Sequence, residues 1–161
     1  AVQIGLEFLE EIGLDPIHAR VEALTAWLLA ALTALKHSNG RPLVQVYGPT
    51  HTEWRGATIA LNLMDAEGNL IHHYDILQQS IVKQLSLRTG AFCNPGSGEF
   101  ALQLPVDEHL ECPTEEDMEN ASALSEVLDP EKMGAIRVSL GLVSNFADAY
   151  RFVQFIHHWL T

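Results

Sequence analysis

The 161 residues are 47% hydrophobic and carry 21 Asp and Glu against 9 Lys and Arg, a formal net charge of −12. That length supports one sizeable core, while the acidic surface repels phosphate backbones and anionic membranes, so neither nucleic acid nor a membrane is an expected partner. The longest apolar helical pattern, Ala23 to Leu35, is broken by Thr25 and Thr33 and is too short to span a bilayer. No basic n-region of a signal peptide is visible, and two cysteines, Cys93 and Cys112, make no disulfide framework, which suits a reducing, cytoplasmic address.

The opening AVQIGLEFLEEIG sets Ile4, Phe8, Leu9 and Ile12 at helical spacing, with Gly13 as the stop. A start at Ala1 reads equally as a cut from something longer or as a processed initiator methionine. Asp15 and Pro16 predict the N-cap and first residue of a second helix. Along it Ile17, Val21, Leu24, Leu28, Leu32 and Leu35 form one stripe, which must face a sheet or another domain, until Asn39-Gly40 ends the run.

Leu43 to Pro49 alternates as a strand closed by Gly48-Pro49, and after a polar loop with Trp54 and Arg55-Gly56 a second strand sets Ile59, Leu61 and Leu63 against Thr58, Ala60 and Asn62. The Glu67-Gly68 turn follows, and the two strands are expected to pair antiparallel. Asp75 to Leu85 has helical spacing, and Leu87 to Thr89 is a short strand running into a glycine-rich turn, GAFCNPGSG. Nearly half the acidic residues then gather between Asp107 and Glu131, an excursion at about 101–133 with a short helix near Ala121 to Leu128. Last come a strand, AIRVSLGL, and a helix capped by Asn145 in which Ala149, Val153, Ile156 and Leu160 share a face. The order predicts an α+β fold, a small, mostly antiparallel sheet with helices packed on one face.

Chemistry concentrates at few residues. Cys93, flanked by Gly90, Pro95, Gly96 and Gly98, sits in a surface loop, where a thiol is less readily explained by packing. Arg88, five residues earlier, and the amides of the turn would favour the thiolate; an unpaired cysteine is otherwise most often a small buried hydrophobe. Arg137 alternates against Ile136 and Val138, so its guanidinium points either to solvent or into a cleft, where its fork could grip a carboxylate. The pairs His72-His73 and His157-His158 are expected to point their rings apart, and no metal site is predicted. Lys36, Lys83 and Lys132 lie in helical or acidic contexts, and none has the setting of a Schiff-base lysine.

RTGAFCNPG, Arg88 to Gly96, resembles the active-cysteine loop of the fold-type I, class V pyridoxal-phosphate enzymes, above all the molybdenum cofactor sulfurases and the class II cysteine desulfurases. Their Arg-x-Gly-x-x-Cys pattern is matched by Arg88, Gly90 and Cys93. VYGP with RGATIALNLMD resembles the first two strands of that family's C-terminal small domain, and AIRVSLGLVSNFADAYRFVQFI its last strand and helix. Nearly the whole chain is covered. Molybdenum cofactor sulfurases often carry cysteines flanking the active one, where this chain has Ala91 and the Ser97-Gly98 stretch.

The resemblance implies that residues 1–14 are the end of a preceding large domain or a connecting helix, and that 15–161 are the C-terminal small domain of the aminotransferase class V type. It implies pyridoxal 5'-phosphate in the parent enzyme, none bound covalently by this chain, and no activity of the chain in isolation. Cys93 would take sulfur from cysteine as a persulfide, while Arg137, with Arg88, would hold the substrate carboxylate. Implied partners are the large domain, a second copy of the full-length enzyme as a homodimer, and a sulfur-acceptor protein. Two alternatives stay open: the small domain of a class V aminotransferase or lyase without a cysteine nucleophile, and a stand-alone protein-binding module.

Overall fold

The computed structural model describes residues 2–90, 101 and 134–161. Cys93, Cys112, the acidic excursion apart from Ala101 and its helix near Ala121 to Leu128 lie outside the described residues. The elements are α1 (Val2–Ile12), α2 (Leu14–Ala34), β1 (Val44–Tyr47), β2 (Thr58–Met64), β3 (Leu70–Ile71), α3 (His73–Val82), β4 (Arg88–Gly90), β5 (Ala135–Ser139) and α4 (Phe146–His157). This is an α+β architecture whose antiparallel sheet runs β1-β2-β5-β4, with β3 also paired to β2.

One face of the sheet makes the core. Ile59, Leu61 and Leu63 of β2 and Ile136 of β5 are completely buried, and they cluster with Leu28, Leu29 and Leu32 of α2 and with Phe152, Val153, Phe155 and Ile156 of α4. The predicted stripes thus face the sheet. Of the residues that alternate with them, Thr58, Arg137 and Ser139 are exposed, whereas Asn62 and Ala135 are buried; the period of two sets the face, and the second face is covered at the Asn62 end.

The helix boundaries differ from the sequence reading in instructive ways. α2 begins at Leu14, with Gly13 at its N-cap (φ 93°) and no side-chain cap, so Asp15 and Pro16 lie inside the first turn. Proline is tolerated there because the first-turn N–H groups have no intrahelical acceptor. The helix also stops at Ala34, well before Asn39-Gly40, because Leu35 turns extended and a tight connection follows, with Lys36 bridged to Pro42. His37 pins that connection. Only 3% exposed, it meets the Met64 carbonyl through Nε2 at 2.9 Å and Thr161 Oγ1 through Nδ1 at 3.1 Å.

β3 escapes the sequence reading because two residues cannot display alternation. α3 starts at His73, with His72 as N-cap accepting from the Tyr74 N–H, a cap outside the usual Ser, Thr, Asp and Asn set. The Glu67-Gly68 turn forms as expected, with Gly68 at φ 94° donating to Asp65 O. Asn145 caps α4 with a complete capping box, its side chain accepting from the Ala147 and Asp148 N–H groups while Asp148 accepts from the Asn145 N–H.

Two substitutions test this account by urea denaturation. Asn145→Ala removes the box and should cost about 1 kcal/mol. Leu61→Ala, at the centre of the buried face, should cost about 2–5 kcal/mol; a loss below that of the cap variant would mean the core does not sit on this face.

Candidate functional site

Antiparallel register decides what stands beside what on the second face of the sheet. Tyr47 pairs with Ala60, Ala60 with Arg137, and Arg137 with Arg88. Directly opposed residues project to the same face with Cβ atoms about 5 Å apart, so one row across four strands reads Tyr47, Ala60, Arg137, Arg88. The flanking row contains Asn62, and Ala135 opposite Gly90. On the other side Thr58 and Ser139 face each other with their hydroxyl oxygens 3.1 Å apart.

The two arginines, expected together at the substrate carboxylate, are cross-strand neighbours, and both are exposed. Like charges directly opposite each other destabilise a sheet. The chain's other arginines all donate to backbone carbonyls: Arg20 to Ser144, Arg41 to Glu67, Arg55 to Pro49 and Thr58, and Arg151 to Lys83. Among the described residues Arg88 and Arg137 have no such acceptor, and the ion pair found there is His18 with Glu22. In a chain of net charge −12, these are two adjacent guanidiniums without a counter-charge among the described residues, and forked donors of this kind suit a carboxylate.

A polar brace bounds this site. Asn62, 3% exposed, donates through Nδ2 to the Tyr47 hydroxyl at 3.0 Å and to the Gly134 carbonyl at 2.9 Å, tying β1, β2 and the start of β5 together. Burial raises the Tyr47 pKa while the Asn62 bond opposes the rise, so the phenol is neutral at physiological pH. Tyr47 and Asn62 entered the sequence reading only as strand residues. A tyrosine and an asparagine on the polar side of adjacent predicted strands were the available signal, and only the register joins them.

His72 and His73 correct the sequence reading. Their rings do not point apart but stack, with centroids 4.7 Å apart and planes at 26°. The reason is that His72 is an extended N-cap while His73 is already helical, so the pair straddles two backbone geometries. The His73 ring also lies over Gly134, where an added Cβ would come within 2.4 Å of its Cε1. Burial, then the neighbouring His72, lowers the His73 pKa. No group of three or more His, Cys, Asp or Glu that could hold a metal occurs among the described residues. A hollow of about 250 Å³ lies where β5 meets α4, lined among others by Leu87, Ser139, Ser144, Asp148 and Phe152, and neither Arg88 nor Arg137 borders it. Cys93 lies outside the described residues, so its relation to the arginines is not part of this geometry. No described helix is long and apolar enough to cross a membrane.

The chain is homologous to a segment of the molybdenum cofactor sulfurases. It is 28% identical over 168 residues to the molybdenum cofactor sulfurase of Bos taurus and 30% over 162 residues to that of Solanum lycopersicum, each match covering 97% of this chain. The Neurospora crassa molybdenum cofactor sulfurase is 34% identical over 137 residues, 80% of this chain. The chain spans about a fifth of the length of these relatives or less, 18%, 19% and 14% respectively. No family model matches it.

Two outcomes check the geometry. Arg88→Gln should raise thermal stability at low ionic strength by about 0.2–1 kcal/mol, by relieving cross-strand repulsion, with the gain fading in high salt; a loss would reveal an acidic partner. For His73 the depressed pKa means the unfolded chain binds the proton more readily. Its contribution is then full above pH about 6.5 and is lost as pH falls towards the folded-state value. Melting temperature followed downward from neutral pH should fall, and His73→Gln should reduce that slope.

Proposed function

We propose that the chain is the small domain of a molybdenum cofactor sulfurase or cysteine desulfurase-like enzyme of the class V pyridoxal-phosphate type. The observation that carries the reading is the Arg88–Arg137 cross-strand pair, which leaves two guanidiniums side by side without a counter-charge among the described residues. The homology over 97% of the chain supports it independently. Arg137, central in the sheet, would hold the substrate's α-carboxylate, and Arg88 on the neighbouring edge strand would reinforce it. Cys93 follows Gly90, the last residue of β4, by three peptide units, a reach of at most about 11 Å. Short tethering to the arginine strand suits a thiolate that takes sulfur from a substrate held there, forming a persulfide and leaving alanine.

The described lysines do not fit the anchoring of the cofactor. Lys36 and Lys83 are exposed, and neither lies in the apolar enclosure that makes a lysine nucleophilic near neutrality. Pyridoxal phosphate would be held by the portion of the parent that this chain does not span. α1, with Val2, Ile4, Leu6 and Phe8 all more than half exposed, offers an apolar surface suited to meeting that portion. Residues 1–14 would then be its end or a connecting helix.

The test uses a polypeptide joining this chain to the remaining length its relatives possess. Arg137→Ala should lower kcat/KM for cysteine by about 10- to 100-fold, the loss of a charged, orienting contact. Cys93→Ser should abolish persulfide formation, detected by mass spectrometry, while cysteine still binds. A Cys93→Ser enzyme releasing alanine and sulfide at the parental rate would remove the sulfur-transfer role and favour the class V alternative without a cysteine nucleophile.

A further inference from the structure

We infer that the hollow between the end of α3 and the last two turns of α4 is a binding site for a small organic phosphate. The hollow measures about 220 Å³ and is bordered by Lys83, Leu85, Arg151, Gln154, Phe155 and His158. Two of the chain's nine Lys and Arg residues meet a histidine there, and no Asp or Glu borders it although the sequence holds 21. The acid one turn before Arg151 on α4 is Asp148, which accepts from the Asn145 N–H through Oδ2. Neither Lys83 nor Arg151 has a carboxylate partner among the described residues, where the ion pair is His18 with Glu22. Arg88 and Arg137 do not border the hollow, so the inference is independent of the reading of that pair.

Helix ends explain part of this charge and not the rest. Lys83 and His158 are the C-cap residues of α3 and α4, where a cation meets the negative end of the helix dipole. Arg151 lies in the body of α4 and crosses to the Lys83 carbonyl through Nη2 at 3.3 Å, leaving Nε and Nη1 without an acceptor among the described residues. The Nδ1 of His158 meets the Gln154 carbonyl at 3.2 Å. A carbonyl only accepts, so Nδ1 carries the hydrogen, and Nε2 becomes a second donor when the ring protonates. Beside these groups the hollow is apolar. Gln84 closes α3 in the left-handed region (φ 56°) and the Leu85 N–H returns to the Ser80 carbonyl at 2.8 Å, a closure in which glycine is the usual residue. It carries Leu85 back against the core, and Leu85 with the buried Phe155 supplies the apolar lining. An apolar wall with a few convergent polar groups is the usual build of a small-molecule site, and a volume below the roughly 300–1,000 Å³ of drug-sized sites suits a small ligand. A fork from α4 and a point charge from the end of α3 approach from two sides, which suits the tetrahedral oxygens of a phosphate.

The experiment is an NMR titration of the ¹⁵N-labelled 161-residue chain with phenyl phosphate, inorganic phosphate and benzoate, at constant ionic strength so that screening is equal throughout. Phenyl phosphate should shift the Lys83, Leu85, Arg151 and His158 amides saturably. It should bind at least about fivefold tighter than inorganic phosphate, which lacks the ring, and than benzoate, which lacks the phosphate. Lys83→Gln and Arg151→Gln should each weaken phenyl phosphate by about three- to tenfold. Arg151→Gln also removes the bond to the Lys83 carbonyl; Lys83→Gln changes a side chain with no hydrogen bond among the described residues, and so tests the charge without disturbing the fold. Absence of saturable shifts, an unchanged affinity in Lys83→Gln, or benzoate binding as tightly as phenyl phosphate overturns the inference. Inorganic phosphate binding as tightly as phenyl phosphate overturns the assignment of an organic ligand. Saturable shifts at Arg88 and Arg137 in place of the hollow overturn the inference and leave the carboxylate reading of the arginine pair standing.

Discussion

The antiparallel pairing of β5 between β2 and β4 is the constraint on which the rest depends. It sets Ile136 and Val138 opposite Leu61 and Ile59 on the buried face, and by the same alternation turns Arg137 outward beside Arg88. Core and site are two sides of one register. A slip of one residue would bury a guanidinium and expose an isoleucine, a cost far above anything a surface contact returns. The apolar side thus enforces the placement of charges that contribute nothing to stability and, facing each other, oppose it.

Strands and helices with strong periodicity were legible in the chain. The stripe of α2, the alternation of β2 and the Asn145 cap each express a local rule that tertiary packing reinforces. What local rules miss are features set by distant partners. α2 ends at Ala34 because His37 is held by Met64 and Thr161, groups remote in sequence. β3 exists because β2 offers Leu63 and Met64 a partner, and two residues alone have no pattern to show.

The candidate site was legible as residue types and not as an arrangement. Arg88 and Arg137 stand out in so acidic a chain, yet nothing in either segment says that the two are opposite each other. Tyr47 and Ala60 carry ordinary strand composition and gain meaning from the row they share with the arginines, as Asn62 does from the hydrogen bonds it makes across the strands. The histidine pair shows the converse. Regular-element geometry predicts divergent rings, and the junction between an extended cap and a helix brings them parallel.

The sheet's order also has a consequence for the way the chain acquires its structure. β1 and β2 are neighbours in sequence and form early by local closure, but the Thr58 to Leu61 edge of β2 is paired only by β5, which is separated from it by most of the later chain. Long-range pairing of this kind is slow, because loop entropy is lost before contacts reward it. During synthesis that edge of β2 emerges with its N–H and C=O groups open and its apolar face uncovered, a template for another nascent chain until β5 arrives. Residues from 134 onward therefore act late, completing this sheet and the arginine pair in one step.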